Sequence, residues 1–446
     1  MDTIASMLPG FGSLLQTVAA FVVALSIIVA IHEYGHYIVG RWSGIRAEVF
    51  SIGFGPVIWS RVDRRGTRWQ LAALPLGGYV KFLGDANAAS AGADGAALAR
   101  LSDAELRQTM HGAPLWARAA TVAAGPVFNF VLSILLFGAV MMVSGRATDA
   151  PQIGEIFALP GIEDSLRPGD LITAVEGIAT PDYPALDAAA EGFRDRPTLN
   201  YRVERDGAEM TVEGPQLLPP RVAQVVPDSA AGEAGIREGD VVTAIDGQPI
   251  ASFAQMQQIV SASDGRALDL TLWRDGAEQG VTLTPRRTDL PLRDGGFETA
   301  YKMGIAGGMF FTPVTTSIGP IEAVEGGARE VAFVIRSSIS ALTHMVSGAI
   351  STCNLRGPLG IAETSGQAAS AGLSNFVWFL AVLSAAIGMM NLFPIPVLDG
   401  GHLVFHAWEA IRGKPPSERA MGVLMTAGFA IVLALMAFGL TNDLRC

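Results

Sequence analysis

His32-Glu33-Tyr34-Gly35-His36 is an H-E-x-x-H motif, two imidazoles four residues apart with a carboxylate between them. On an α-helix, residues four apart are turned by only about 40° and separated by about 6 Å of rise. Both rings therefore project from one face and can share one ion. Such a pair with an adjacent glutamate is the pattern of a Zn²⁺ hydrolase, in which the histidines hold the metal and the glutamate takes a proton from the attacking water. Chance matches occur in long chains, but this one stands in a run of Ile, Val and Ala. An unpartnered ionisable side chain in such a helix costs roughly 3 kcal/mol or more, so catalysis explains its presence better than accident.

Two histidines leave such an ion one protein ligand short. The other histidines are His111, His344, His402 and His406, and the two cysteines, Cys353 and Cys446, make neither a thiolate site nor a disulfide framework. Asp399 is the better candidate, in Asn391-Leu-Phe-Pro-Ile-Pro-Val-Leu-Asp-Gly-Gly-His402. The two prolines break a helix there and free backbone groups that only a protein-lined or wet cavity can satisfy. The plainer alternative is an Asp-Gly turn leaving a membrane. With His32, His36 and Asp399 as ligands and Glu33 as general base, the expected chemistry is hydrolysis of a peptide bond, Glu33 passing its proton on to the leaving amine. Asn391 can hold substrate backbone or an oxyanion, or simply bond another helix, as can Asn129. His402 reads as a helix cap or structural residue.

The elements that must position these groups are membrane helices. Half of the 446 residues are hydrophobic and 16% are charged, against about 25% charged in soluble domains. The net charge of -11, with no basic stripe, excludes a nucleic-acid partner. Four segments approach the ~20 apolar residues that a span needs: residues 14–39, 115–143, 373–398 and 421–440. Residues 330–350 are apolar on one side but carry Arg336 and His344, which predicts an amphipathic helix on the membrane surface. Asp2 is the only charge before His32, so the basic start of a cleaved signal peptide is missing.

Basic residues orient the spans. The loop after the first carries Arg41, Arg46, Arg61, Arg64, Arg65, Arg68 and Lys81, and the loop before the fourth carries Arg412, Lys414 and Arg419. Both loops are expected in the cytoplasm. Both termini, His344 and the region between the second and third spans then face outward. The first and third spans run in the same direction, so His32, His36 and Asp399 arrive at similar depth near the inner face. A further span at 330–350 would have put Asp399 on the opposite side.

The outward region repeats. Leu166-Arg-Pro-Gly-Asp-Leu-Ile-Thr-Ala-Val-Glu-Gly177 recurs as Ile236-Arg-Glu-Gly-Asp-Val-Val-Thr-Ala-Ile-Asp-Gly247, and Arg205-Asp-Gly-Ala-Glu209 as Arg274-Asp-Gly-Ala-Glu278, both at about 70 residues. Each copy has alternating strands, Gly-Asp and Asp-Gly turns and one short helix, such as residues 253–262, so two small β-rich domains in tandem are expected. Between the first two spans, residues 49–59 and 67–81 read as strands around the Asp63–Gly66 turn, residues 86–97 as a mobile Ala/Gly-rich loop, and Ser102 with Glu105 as a capping box.

Taken together, these features resemble the site-2 protease family of M50-type intramembrane zinc metalloproteases, and within it the RseP-like branch of regulator of sigma-E proteases. The resemblance covers essentially the whole chain. It rests on the H-E-x-x-H motif, Ala124-Gly-Pro-Val-Phe-Asn-Phe130, the paired PDZ-like units, Gly357-Pro-Leu-Gly-Ile-Ala362 and the Asn391 to Gly401 run. It implies a polytopic α-helical membrane protein with four transmembrane helices and two tandem β-rich PDZ-like domains inserted between the second and third spans. The expected division is 1–48 (first span), 49–112 (cytoplasmic hairpin and loop), 113–146 (second span), 147–217 and 218–290 (PDZ-like domains), 291–370 (periplasmic linker and amphipathic helix), 371–412 (third span) and 413–446 (fourth span).

It also implies Zn²⁺ on His32, His36 and Asp399, Glu33 as base, and residence in a bacterial inner membrane with both termini and the PDZ-like domains in the periplasm. The implied partners are the lipid bilayer and single-span substrates, such as a pre-trimmed anti-sigma factor in a stress response, and remnant signal peptides. A membrane-bound PDZ scaffold or chaperone with a vestigial metal site is the competing class.

Overall fold

In the computed structural model, described for residues 8–86, 95–161, 165–226, 229–291 and 297–445, the chain divides into two compact units. The first comprises residues 1–142, 319–345 and 351–446, the second residues 143–318 and 346–350.

Four helices of the first unit are long and apolar enough to cross a membrane: α1 (Leu8–Trp42), α2 (Leu115–Ser144), α5 (Leu373–Asn391) and α7 (Glu418–Arg445). Large apolar side chains remain exposed on them, Leu135, Val423 and Phe429 among these, as lipid-facing helices require. The chain is a polytopic helical membrane protein. The third span ends earlier than expected. Its helix stops at Asn391, the two prolines occupy a turn, and Asp399 opens a new helix, α6 (Asp399–Arg412), rather than closing the old one.

Between α2 and α5 in the chain lie α3 (Pro320–Val346) and α4 (Pro358–Ser370). The amphipathic helix expected over 330–350 begins at Pro320 instead, and its first half packs on α2. A Cβ added to Gly327 would lie 2.3 Å from the Ile134 carbonyl oxygen, and one added to Gly138 would lie 3.0 Å from that of Ala323. Glycines let the two backbones touch. They also dilute the apolar signal, which is why sequence reading placed the helix start too late. Val331 of α3 joins Phe137, Ala381 and Ala385 in one buried cluster with α2 and α5.

The N-terminus of α4 is capped from a distance. The Asp443 carboxylate accepts from the Gly357 N–H at 2.7 Å and the Leu359 N–H at 3.0 Å. Gly357 has to lack a side chain, since a Cβ would fall 2.4 Å from the Gly439 carbonyl carbon. Asn442 donates to the Thr352 carbonyl at 2.8 Å close by. Cys353, in the turn between these groups, is disulfide-bonded. Two cysteines without a spacing pattern gave no hint of it. Cys446 lies outside the described residues.

β1 (Ala47–Val62) and β2 (Arg68–Phe82) follow α1. Their register is more folded than a simple hairpin. Val49–Ile52 face Lys81–Gly78 on one side and Arg68–Leu71 on the other, and Arg68–Leu71 in turn face Val62–Trp59. The segment around Gly78 to Phe82 is therefore an edge. The loop expected over 86–97 falls mainly on residues outside the described ones, but Gly95–Leu98 is helical, and the Ser102–Glu105 capping box is present.

The second unit holds the repeat as two four-stranded sheets of the same order, β6-β5-β7-β8 and β11-β10-β12-β13. They run through β5 (Leu171–Val175), β6 (Ile178–Ala179), β7 (Thr198–Arg205) and β8 (Ala208–Pro215), then β10 (Val241–Ile245), β11 (Gln248–Pro249), β12 (Leu268–Arg274) and β13 (Ala277–Leu283). The repeated Gly-Asp and Arg-Asp-Gly sequences are joined in space. Arg205 grips Asp170 through two hydrogen bonds of 2.7 and 2.6 Å, and Arg274 grips Asp240 through two of 2.6 Å.

The expected boundary at residue 290 does not match the strand pairing. β9 (Gln224–Val225) pairs with β14 (Ile305–Ala306), whereas β4 (Ile153–Ile156) pairs with β15 (Phe311–Pro313) and β3 (Arg146–Ala147) with β16 (Thr315–Thr316). Phe310 and Phe311 complete the core of the first sheet. The second sheet is thus nested within the first, and part of the expected linker is structural. Strands of two or three residues carry no readable alternation.

Candidate metal centre

Two distant stretches, α1 and the start of α6, meet on one point. Nε2 of His32 lies 3.2 Å from Nε2 of His36, and Asp399 Oδ2 lies 3.2 Å from the first and 3.5 Å from the second. Among the described residues these three form the one group of His, Cys or carboxylate ligands able to hold a metal ion. Ligand atoms about 2 Å from a tetrahedral ion stand about 3.3 Å apart, so this triangle has the size of one face of a zinc tetrahedron. Asp399 Oδ2 is buried and receives no hydrogen bond, although two ring nitrogens face it. A cation among the three atoms accounts for that arrangement, and two imidazoles with one carboxylate suit zinc and leave a position open.

Each of the three side chains is positioned by local backbone. His32 and His36 lie one turn apart on α1. Gly35 between them lets α1 sit on α2, where a Cβ would be 2.6 Å from the Ala124 carbonyl oxygen. Gly125 does the same for the rings themselves, since a Cβ there would fall 2.4 Å from His36 Nε2 and 2.8 Å from His32 Cε1. Asp399 is carried in by the Asp-Gly-Gly sequence. Cβ atoms on Gly400 and Gly401 would lie 2.3 Å from the carbonyl oxygens of Leu392 and Ile395, so only glycines allow α6 to tuck under the proline turn. Arg118 of α2 holds α6 in place through a two-pronged pair with Glu409, at 3.0 and 2.6 Å.

Sequence reading did not find the outer partners. His36 Nδ1 donates to the Thr121 carbonyl at 2.8 Å, and the Asn129 amide meets His32 Nδ1 at 3.3 Å. Glu33 receives the backbone N–H of Val80, and a Cβ on Gly78 would lie 3.0 Å from Glu33 Cγ, so the edge of β2 abuts this carboxylate. The Ala124 to Phe130 run contains Gly125 and Asn129, but backbone acceptors such as Thr121 leave no mark in a sequence.

The remaining candidates do not join the three-residue group. Asn391 Nδ2 donates to the Ile387 carbonyl of its own helix at 3.1 Å. His402 packs against Phe405, His344 Nδ1 bonds the Ser340 carbonyl at 2.8 Å, and His111 lies 3.6 Å from Asp85; none belongs to the three-ligand group.

Known proteins agree with this chemistry. Residues 20–435 match peptidase family M50. A protein of Agrobacterium fabrum that carries the name of a zinc metalloprotease is 37% identical over 439 residues, covering 97% of each chain. One of Rhizobium meliloti, similarly named, is 36% identical over 437 residues, again 97% of each. The Regulator of sigma-E protease RseP of Escherichia coli is 33% identical over 463 residues, 97% of this chain and 99% of that one. With a family match over most of its length and relatives of this similarity, the chain belongs to peptidase family M50 and is a zinc metalloprotease.

Proposed function

We propose that His32, His36 and Asp399 are the zinc ligands, that Glu33 is the general base, and that the substrates are membrane-spanning segments of single-span proteins. The carrying observation is the meeting of these groups at the end of an apolar helix, where a soluble substrate has no reason to go. Zinc supplies Lewis-acid polarisation of the scissile carbonyl and acidifies water. Glu33 holds the proton taken up at its carboxylate and delivers it to the leaving amine, with the Val80 N–H fixing its orientation. Thr121 holds the His36 ring through Nδ1.

A helical substrate hides its carbonyls in its own hydrogen bonds, so it has to unwind before attack. The open edge from Gly78 to Phe82 stands beside Glu33 and can take an extended segment by adding a strand. Asn391, at the end of α5, is a candidate for holding substrate backbone. That role requires it to release the Ile387 carbonyl.

The basic loops after α1 and before α7 favour an active site toward the cytoplasm of a bacterial inner membrane. The termini and the two β-rich domains, which we read as PDZ-like, then belong to the periplasm. The similarity to a regulator of sigma-E protease favours a pre-trimmed anti-sigma factor as one substrate. Remnant signal peptides present the same chemistry, a single apolar helix with little outside it.

The test is cleavage of a single-span protein with a short outer segment, in detergent or liposomes, beside a soluble peptide of the same cleavage sequence. Cleavage of the membrane substrate alone, stopped by a zinc chelator and by Glu33→Gln, is expected. Equal cleavage of the soluble peptide would show a tethered general protease instead.

A further inference from the structure

In a zinc site, the ring nitrogen that does not bind the ion donates its N–H to an acceptor, and this bond sets the tautomer and the ring's direction. His36 has such an acceptor in the Thr121 carbonyl. His32 faces a side chain instead, with Asn129 Nδ2 3.3 Å from Nδ1. With an NH₂ group there, Nδ1 accepts, the ring proton sits on Nε2, and Nε2 has no lone pair for a cation. A half-turn of the carboxamide exchanges its two ends, which a structure without hydrogens does not distinguish. Oδ1 then stands where Nδ2 was, Nδ1 donates to it, and the Nε2 lone pair is free.

We propose that Asn129 is a positioning residue for His32, its amide oxygen accepting the Nδ1 proton and so holding the ring in the metal-binding tautomer. This rests on the assignment of His32, His36 and Asp399 as zinc ligands. The amide is well placed for the task. Asn129 is fully buried, and its backbone carbonyl accepts from Ser384 Oγ of α5 at 2.9 Å. Gly388 of α5 packs close enough that an added Cβ would lie 3.1 Å from Asn129 Cβ. Two helices therefore fix the side chain's base, leaving the turn of its amide as the freedom that remains. As drawn, Oδ1 is buried without a partner, so His32 is what the amide engages in either orientation. An ion at Nε2 decides between them.

A helix–helix contact alone makes a different demand, namely shape and any polar group. The test is Zn²⁺ affinity of the full-length protein in detergent, by competition with a chromophoric chelator. The proteins compared are wild type, Asn129→Leu, Asn129→Asp and His32→Ala. Leu keeps the volume and removes the acceptor; Asp offers acceptor oxygens only. Asn129→Leu is expected to lose about 10–100-fold in affinity. Asn129→Asp should keep most of it, with the unfolding temperature of the metal-free proteins unchanged.

Wild-type affinity in Asn129→Leu, or an equal loss in Asn129→Asp, overturns the proposal. Should the Leu variant fail to accumulate in the membrane, Asn129→Ala takes its place under the same criteria. His32→Ala separates the two levels. If it binds zinc as the wild type does, the ligand assignment falls and this inference with it. If it loses zinc while Asn129→Leu does not, only the positioning role falls.

Discussion

Asp399 Oδ2 lies 3.2 Å from His32 Nε2 without receiving a hydrogen bond, a buried carboxylate oxygen facing an imidazole across the space of an ion. The contact joins the first turn of α6 to the C-terminal third of α1.

From it follows a separation of metal binding and chemistry. Asp399→Ala removes a proposed ligand, and the purified protein is expected to lose both zinc and cleavage. Glu33→Gln leaves the ligand triangle intact, so zinc content stays while cleavage falls by about 10²–10⁴-fold, the usual worth of a positioned acid–base group. Metal analysis beside a cleavage assay checks both. Retention of full zinc by Asp399→Ala would remove it from the ligand set.

Gly125→Ala tests the space around the rings. Its methyl group would fall 2.4 Å from His36 Nε2, and α2 has to shift to admit it. Overpacking of this kind costs about 1–3 kcal/mol, and here the displaced atoms belong to the proposed ligands. Weaker zinc binding and a lower unfolding temperature are expected together, whereas a wild-type zinc affinity would place the helices further apart than described.

The distant cap on α4 is accessible to mutation through Asp443. Asp443→Ala leaves the N–H groups of Gly357 and Leu359 without the carboxylate that now accepts from both. Loss of a capping side chain costs about 0.5–2 kcal/mol. Faster hydrogen exchange at the start of α4, with zinc affinity unchanged, is the expected signature.

In the second unit, Asp170 sets a pH dependence. Burial alone would raise its pKa, but the hydrogen bonds from Arg205 and the Arg167 N–H prevail and hold the carboxyl below its ordinary range. A carboxyl depressed on folding stabilises the folded state above its unfolded pKa of about 3.9. That contribution is lost as pH falls through the lower folded value. Hydrogen-exchange protection of β5 and β7 should therefore hold at neutral pH and decline below about pH 4, and Asp170→Asn should show reduced protection already at pH 7. Protection equal to wild type in Asp170→Asn at pH 7 would count against the pair as a fastener of this sheet.

Much of this protein is written locally. A helix turns residues four apart onto one face, so His32, Glu33 and His36 declare a metal site wherever a helix forms. Apolar runs of about 20 residues declare spans, and the recurrence of Gly-Asp and Arg-Asp-Gly declares a duplicated β-rich unit. The expected direction of the spans brings Asp399 to the depth of the two histidines as a candidate ligand. Depth is not distance, however. Whether the carboxylate reaches the rings depended on a helix restarting at Asp399, on Gly400 and Gly401 meeting the proline turn, and on Gly125 leaving room for the imidazoles.

Other features were legible only in three dimensions because they rest on backbone groups or on very short strands. The Thr121 carbonyl, the Val80 N–H, the capping of α4 by Asp443 and the nesting of one sheet within the other are of this kind. Every residue carries the same carbonyl and N–H, so residue identity says which side chains can bind an ion or bury an apolar face. Tertiary packing alone says which of the otherwise identical backbone groups will face them.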